Sequence, residues 1–527
     1  MHTTGEPSSS SDIPGGIPVT DSQNNFAKNT LSNLVFMVFN TATTMIMVPF
    51  LIARLGVANY GMISLANSFV GYVEVFTAAI FTTVFRFASI HIAKNEYKQA
   101  QGYFNTQLVF VAWFAAILIP VAALISFLSP HFINIPPGQD RNTQLLFFAV
   151  YLGFCVMLVS SPFRLGTYVK QRFDVGNGIE ILNQVCRYSV WILLFTFSTA
   201  AMWKVGVGYI LGSFVFLLGN YLAFRKYVPA IKVRLGGFEK KKFVDMTHTG
   251  VWMTVAQFGG VLYIGIDLLI VNLILGPEAG GFYSPILQLS MAIRGMGSMM
   301  AGLLLPMTLS SFALQDWDKL VRNMCVAIKF ISLGMAIPVG IACGLGKPFL
   351  VLWLGPKFGD VSPLIWVMLV HQIFNAGVEP LFGVNLAANK VAVPGIATVV
   401  GGVLKVVLSI VLAIYTPLGL YGVALGTLIS FVIKNLIFIP YYGGIVLKTS
   451  PKPFYGAFLP SALMFVVSSG MALVASRYIR IDSVLSLLTI GLVLGIMCAL
   501  ASYMVLCNKG DKELIRQALA KRGGNSA

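Results

Sequence analysis

Apolar runs of about twenty residues, the length that crosses a hydrocarbon core as a helix, follow one another along almost the whole chain. Short polar connections part them. They predict fourteen spanning helices, near 31–53, 61–85, 104–128, 144–167, 178–199, 205–224, 250–275, 282–306, 324–345, 363–387, 393–415, 420–443, 457–476 and 484–507. The expected fold is an all-α polytopic membrane protein with no large soluble domain. The first 25 residues are rich in Ser, Pro, Gly and Asn without periodicity, which reads as a loose tail. They lack the basic start and short apolar stretch of a cleaved signal. The chain then divides into a flexible tail (1–28), spans 1–6 (29–226), a basic loop (227–248), spans 7–12 (249–445), spans 13 and 14 (446–507) and a second tail (508–527).

Composition agrees with this pattern. Of 527 residues, 57% are hydrophobic and 10% charged, against about a quarter charged in soluble proteins. That excludes an ordinary cytosolic enzyme, a disulfide-rich secreted domain and a disordered scaffold. The six Cys form no C-x-x-C pair and lie mostly in apolar runs, as small apolar fillers do. The five His show no metal-ligand spacing. The net charge of +17 is a matter of topology. With the N-terminus inside, 22 Lys and Arg fall in cytoplasmic segments and 7 in outer ones, the bias that orients membrane proteins. Both termini are therefore expected in the cytoplasm. No basic stretch is interleaved with base-stacking aromatics, so nucleic acid is not an expected partner. The run Lys240–Lys242 is expected to contact the inner leaflet.

The chain repeats itself. Leu55-Gly56, Gly61 and Ser64 recur in the second half as Leu275-Gly276, Gly281 and Ser284, and Glu96-Tyr97 matches Asp316-Trp317 at the same offset. Gly208, Leu211, Gly212 and Ser213 recur at a slightly shorter offset as Gly422, Leu425, Gly426 and Thr427. A unit of six spans returns the chain to the side where it started, so the two copies run parallel, related by an axis along the membrane normal. Two six-helix lobes around a central cavity follow, with spans 13 and 14 outside the repeat.

Charges inside the spans are costly and tend to face a cavity or one another. Arg187, Arg294 and Lys405 fall near the middle of spans 5, 8 and 11, and Arg187 and Lys405 occupy similar depths of equivalent spans. They are candidates for binding an anionic group in the cavity, or alternatively members of buried ion pairs. Arg86 and Arg54, nearer the span ends, complete the binding candidates. Arg164, Lys329 and Lys434 also sit toward span ends, where they can snorkel. Glu74, Asp267 and Glu379 are candidates for coupling to H⁺ or Na⁺, since carboxylates in low dielectric titrate nearer neutrality; the other reading is an ion pair with a neighbouring cation. Glu180 lies one heptad before Arg187 and shares its face. His371 reads as a packing histidine. Gly259-Gly260 and Gly265, ahead of Asp267, suit either a hinge or close packing. Tyr60, Tyr283 and Trp252 can stack on sugars or serve as packing.

The stretch from Phe39 to Tyr72, with Pro49, Arg54-Leu55-Gly56 and Tyr60-Gly61, resembles the first two spans of the polysaccharide transporter and O-antigen flippase family, part of the multidrug, oligosaccharidyl-lipid and polysaccharide exporter superfamily. Asp267 to Ser284, with Leu275-Gly276, Gly280-Gly281 and Tyr283-Ser284, resembles the same motif opening the family's second half, and Phe173-Asp174 to Asn183 its span 4–5 connection. The resemblance covers roughly 29–445, with spans 13 and 14 matching fourteen-span members. Members often carry an acid and a glycine near the end of span 2; here Glu74 stands there without the glycine. The resemblance implies a flippase, not an enzyme, that moves an undecaprenyl-pyrophosphate-linked oligosaccharide, an O-antigen or exopolysaccharide repeat unit, across a bacterial inner membrane. It implies coupling to an ion gradient without a cofactor, and polysaccharide polymerase and chain-length proteins as partners. The chain has no G-x-x-x-x-G-K-[ST] loop, in agreement. A multidrug or lipid II exporter of the same superfamily is the alternative. A glycan polymerase or ligase is a third, disfavoured because the outer loops near 129–143 and 346–362 are short and apolar.

Overall fold

The computed structural model describes residues 19–246, 259–302 and 305–506. The remainder of both tails, His248, Trp252 and the start of the seventh span lie outside the described residues. The helices are α1 (Val19–Leu55), α2 (Val57–Ala93), α3 (Tyr97–Phe132), α4 (Asp140–Ser160), α5 (Phe173–Phe197), α6 (Trp203–Tyr227), α7 (Asp267–Leu275), α8 (Pro277–Gly302), α9 (Trp317–Gly344), α10 (Pro363–Ala387), α11 (Ala392–Tyr415), α12 (Leu420–Phe431, continued by a π turn and Ile439–Val446), α13 (Lys452–Tyr478) and α14 (Val484–Ala501). Thirteen of them match a predicted span in order, and α7 covers the end of the seventh span. Among the described residues, ten helical stretches are long and apolar enough to cross a membrane. α5 and α8 fall outside that set and carry Glu180, Arg187 and Arg294.

Two expectations are corrected. The first helix begins at Val19, inside the stretch read as a loose tail, because no Pro or Gly interrupts the chain between Pro18 and Pro49. The segment near 346–362, read as an outer loop, holds a helix, Gly346–Leu354. Its run Phe-Leu-Val-Leu-Trp-Leu is too short to span, so it packs back against α1 and α9.

The duplication is visible in the packing. In the first half α1 lies on α5, α2 on α4, α3 on α4, and α6 on both α4 and α5. In the second half α7 and its preceding turn lie on α11, α8 on α10, α9 on α10, and α12 on both α10 and α11. Every pairing recurs six helices later. The backbone repeats as well. Gly56 and Gly276, Asn95 and Gln315, and Gln171 and Asn389 adopt positive φ at matching corners of the two halves. α1–α6 form one lobe (the N-lobe) and α7–α12 the other (the C-lobe). α13 packs along α9 and holds α14 beside it, so both ride on the C-lobe.

The glycines singled out by the repeat let helices approach closely. A Cβ on Gly212 would stand 2.5 Å from Asn183 Oδ1 of α5, and one on Gly426 would stand 2.5 Å from Ser409 Oγ of α11. At the lobe boundary, a Cβ on Gly61 of α2 would lie 2.4 Å from the Pro277 carbonyl, and one on Gly281 of α8 would lie 2.0 Å from that of Val57. Small residues permit the backbone contact that joins helices without a hydrophobic driving force.

The basic loop between the lobes is seated on α3. Asn105 donates to the Lys232 carbonyl and accepts from the Arg234 amide, while Thr106 accepts from the Glu239 amide. Lys242 turns inward to Glu239 at 2.9 Å and over the Tyr103 ring, so it leaves the expected leaflet-facing run. The membrane face that carries this loop is called the loop face below, and the opposite one the far face.

Candidate functional site

The described hydrogen bonds between the lobes gather in the far halves of α1 and α2. Tyr60 OH accepts from Gln288 Nε2 at 2.8 Å, Tyr72 OH donates to the Gly265 carbonyl at 2.9 Å, and Trp353 Nε1 donates to the Met45 carbonyl at 2.7 Å. Asn134 and Asn272 exchange three bonds of 2.7–3.0 Å. Toward the loop face Asn33 and Asn40 of α1 and Met291, Met296 and Met299 of α8 are exposed. Among the described residues, the bonds between the lobes thus lie toward the far face, and these loop-face positions are exposed.

Three spaces open from this geometry. Between the lobes, Asn40, Thr41 and Thr44 of α1 face Gln288 and Met291 of α8 across a cavity of about 360 Å³ capped by Trp353. Spacing of three and four residues puts Asn40, Thr41 and Thr44 on one side of α1. Beside it runs an apolar groove of about 620 Å³ between α9, α14 and the Gly346–Leu354 helix, lined by Pro338, Ile341, Phe349, Leu488 and Leu492. Met45 and Leu289 line both spaces, so the two adjoin at α1 and α8.

The third space, about 150 Å³, is enclosed by α1, α2, α5 and α6 with Gln288 of α8 at its edge. Arg187 dominates it. Its guanidinium lies 4.7 Å from the Tyr209 ring centre, 5.0 Å from Tyr188 and 5.7 Å from Trp191, within the range of cation–π attraction. Trp191 is held by its Nε1–H bond to the Val205 carbonyl at 2.8 Å. Arg187 Nε is shielded from solvent and has no hydrogen-bond partner among the described residues.

In the C-lobe the matching cation is sealed. Lys405 Nζ stands 2.5 Å from Asp267 Oδ1 and donates to the Tyr263 carbonyl at 2.9 Å. Lys405 is 0% exposed and Asp267 1%. Tyr283 and Thr427 donate their hydroxyls to the other carboxylate oxygen at 3.2 and 3.3 Å. Tyr263 belongs to a π turn, Val261–Gly265, in the glycine-bearing stretch expected as either a hinge or a close-packing surface. A second π turn, Val432–Phe438, places Lys434 4.7 Å from the Tyr263 ring. Such turns insert a residue into the helical ladder and re-aim its neighbours.

Lys405 and Asp267, expected in separate roles, are each other's partner. Arg187 lines the third space, Lys405 is sealed in its ion pair, and Arg294 lines none of the three spaces. A mid-depth ammonium in low dielectric takes the nearest carboxylate, whereas Arg187 has none at salt-bridge distance among the described residues. Arg294 sits 5.9 Å from the Phe431 ring centre. Glu379, a turn of α10 away from the lobe's buried amides, accepts from Ser298 Oγ at 2.7 Å. Glu74 is exposed on α2, and Glu180 is half-buried on α5. Arg86 is exposed toward the loop-face end of α2. Arg54 is exposed in the last turn of α1, 5.9 Å from the Phe50 ring centre, outside the three spaces.

Charge alone did not reveal a ladder of neutral polar groups through α10. Asn435 Nδ2 donates to Asn375 Oδ1 at 2.8 Å, Asn375 Nδ2 meets His371 Nδ1 at 2.9 Å, and Gln372 Nε2 donates to Ser290 Oγ at 2.8 Å. His371 stacks on Phe431 with ring centres 4.6 Å apart, the packing role expected of it. The spacing of His371, Gln372 and Asn375, which puts three polar groups on one side of a span, was the available signal.

The sequence pattern of the family described as "Polysaccharide biosynthesis protein" matches residues 26–312. Over 499 residues, 95% of this chain and 99% of the relative, the sequence is 26% identical to the "Uncharacterized membrane protein EpsK" of Bacillus subtilis (strain 168). Over 353 residues, 66% of this chain and 82% of the relative, it is 23% identical to the "Putative O-antigen transporter" of Shigella flexneri. Among solved structures, the lipid II flippase MurJ in an inward closed conformation aligns with a TM-score of 0.63 at 16% identity, covering 91% of this chain and 99% of that one. An inward-facing multidrug resistance MATE family transporter of the MOP superfamily aligns with a TM-score of 0.58 at 14% identity, covering 80% of this chain and 96% of that one. These structural likenesses are of fold, that of polytopic transporters.

Proposed function

The chain belongs to the polysaccharide biosynthesis protein family, and from that premise we propose that it is a flippase carrying an undecaprenyl-pyrophosphate-linked oligosaccharide across the bacterial inner membrane by alternating access of its two lobes. The loop face is the cytoplasmic one, where the substrate enters, and the far face opens to release it. One observation carries this reading: a space between the lobes that presents Asn40, Thr41, Thr44 and Gln288 adjoins an apolar groove through Met45 and Leu289. A lipid-linked glycan needs both. Its sugars lose hydrogen bonds in hydrocarbon unless polar groups such as Asn40, Thr44 and Gln288 replace water. Its prenyl tail gains about 0.8 kcal/mol per CH₂ kept from water and is served by the groove along α14.

The far-face closure is light enough for such a cycle. Tyr60–Gln288, Tyr72–Gly265 and Asn134–Asn272 are neutral hydrogen bonds, each worth about 0.5–1.5 kcal/mol net. Glu379 and Glu74 are the proposed groups for coupling to H⁺ or Na⁺, while Asp267 serves as the counter-ion of Lys405. Arg294 remains a proposed contact for the anionic linkage.

Reconstitution into liposomes with defined lipid-linked glycans under imposed H⁺ or Na⁺ gradients tests the proposal. Translocation of the lipid-linked glycan is expected, with Gly491→Leu/Gly495→Leu, which narrows the groove, abolishing it. Failure to move any lipid-linked glycan under either gradient overturns the reading.

A further inference from the structure

Both lobes build one site, and they complete it differently. Around Lys405 in the C-lobe stand Asp267 of α7, Tyr283 of α8 and Thr427 of α12. With Leu55 aligned to Leu275, Gln171 to Asn389, and Trp191 to Ser409, both of which bond the carbonyl fourteen residues on, these three positions become Met47, Ile63 and Tyr209. Lys405, between Asn389 and Ser409, becomes Arg187, between Gln171 and Trp191. Met47 and Ile63 do line the space that holds Arg187. The guanidinium therefore has the ammonium's place, with a thioether where the C-lobe has a carboxylate. The nearest acid on its own helix, Glu180, lies about two turns away.

A cation buried without an acid is expensive. Three aromatic faces offset part of that cost but leave the in-plane donors of the guanidinium unused. Arg187 Nε has no partner among the described residues, and one terminal nitrogen reaches only Tyr188 OH, at 3.4 Å. The planar fork of an arginine matches two oxygens of one anion, whether carboxylate or phosphate. Tyr60, Ser64, Asn67 and Gln288 line the same space and supply hydroxyl and amide groups. At about 150 Å³ it has room for one anionic group or one sugar ring, not for a whole oligosaccharide.

We infer that the Arg187 chamber is a binding site for a two-oxygen anion, a carboxylate or a phosphate, whose charge takes the part that Asp267 plays in the C-lobe. The inference rests on the flippase reading for its biological substrate, in which either an acidic sugar or the pyrophosphate linkage brings the anion. The Tyr60–Gln288 bond spans the lobes at the rim of this chamber, so an occupant there sits against the contact that must break for the far face to open.

Binding of glucuronate and of inorganic pyrophosphate to the purified full chain in zwitterionic nanodiscs, followed by calorimetry, tests it. Saturable binding of at least one anion is expected. Arg187→Gln should weaken it about tenfold or more, and Arg187→Lys should restore part of it. Met47→Asp installs an internal carboxylate. It should abolish binding while keeping or raising the unfolding temperature, which separates loss of the site from loss of fold. Pyrophosphate binding alone assigns the chamber to the lipid linkage, and glucuronate alone to an acidic sugar. No saturable binding of either, or binding that Arg187→Gln leaves unchanged, overturns the inference. If lipid-linked glycan still crosses liposomes in that case, the flippase reading stands without it. If Arg187-dependent binding appears but no lipid-linked glycan moves, the site stands and the flippase reading falls.

Discussion

Arg187 and Lys405 occupy matching helices of two lobes that share their principal helix pairings, yet their surroundings have opposite characters. Lys405 is enclosed by a carboxylate, two hydroxyls and a backbone carbonyl. Arg187 is surrounded by aromatic faces and opens onto a chamber at the lobe boundary. The substitution pattern explains the contrast. Trp191 and Tyr209 of the N-lobe answer to Ser409 and Thr427 of the C-lobe. The small pair lets α11 and α12 close over Lys405, with Ser409 Oγ donating to the Val423 carbonyl at 3.1 Å. The large pair props the equivalent space open. At the loop-face end the asymmetry reverses. Asp174 of the N-lobe clamps Arg172 at 2.9 Å and Lys28 of α1 at 3.0 Å, whereas the equivalent C-lobe positions are Lys390 and Ala392, with no acid. One duplicated scaffold thus pairs its mid-membrane cation with an acid in one lobe and surrounds it with aromatic faces in the other.

The contrast can be broken hardest at Asp267. Removing one partner of a buried pair leaves an uncompensated charge, so Asp267→Leu should destabilise by about 3–5 kcal/mol. Adding Lys405→Met should recover most of that, since an apolar pair of similar volume is often neutral. Arg187→Met should cost far less and reduce anion binding instead. Thermal unfolding of the purified variants measures all three, and equal losses for Asp267→Leu and Arg187→Met would remove the distinction between the lobes.

Tyr60→Phe acts where the lobes join. It deletes the bond from Gln288, about 0.5–1.5 kcal/mol, and should shift the population toward an open far face. Spin-label distances between the far ends of α2 and α8 would report a larger open fraction; an unchanged distribution would show that this bond does not hold the closure.

The smallest effect belongs to the loop-face clamp. Asp174→Asn should loosen α1 from α5 by about 0.2–1 kcal/mol, the range for partly exposed ion pairs. The loss should shrink as salt is raised, because screening already weakens the wild-type pair. Ala392→Asp would supply Lys390 with an adjacent acid and should give the C-lobe a gain of similar or smaller size in the same unfolding assay.

Much of the fold was legible because it is local. A run of about twenty apolar residues must satisfy its backbone internally and becomes a helix whatever surrounds it, so fourteen spans, their order and the parallel duplication followed from the chain alone. Gly208, Gly212, Gly422 and Gly426 were visible as a recurring pattern, although their purpose, the close approach of α6 to α5 and of α12 to α11, required coordinates. The helix Gly346–Leu354 was missed because so short an apolar stretch neither spans nor looks like a loop. The ladder of His371, Gln372, Asn375 and Asn435 was missed because neutral amides cost less than charges and draw less notice.

The partners of the buried ions lay beyond the reach of pattern. Lys405 and Asp267 stand far apart along the chain, with three whole spans between theirs, and Arg187 is as basic and as central in its span as Lys405. Hydropathy is a property of single residues summed along a helix, so the chain by itself determined that these charges enter the membrane and at what depth. Which of them finds an acid depends on how each helix is rotated and how closely its neighbour approaches. That was decided in the packed lobes, by a serine and a threonine on one side and a tryptophan and a tyrosine on the other.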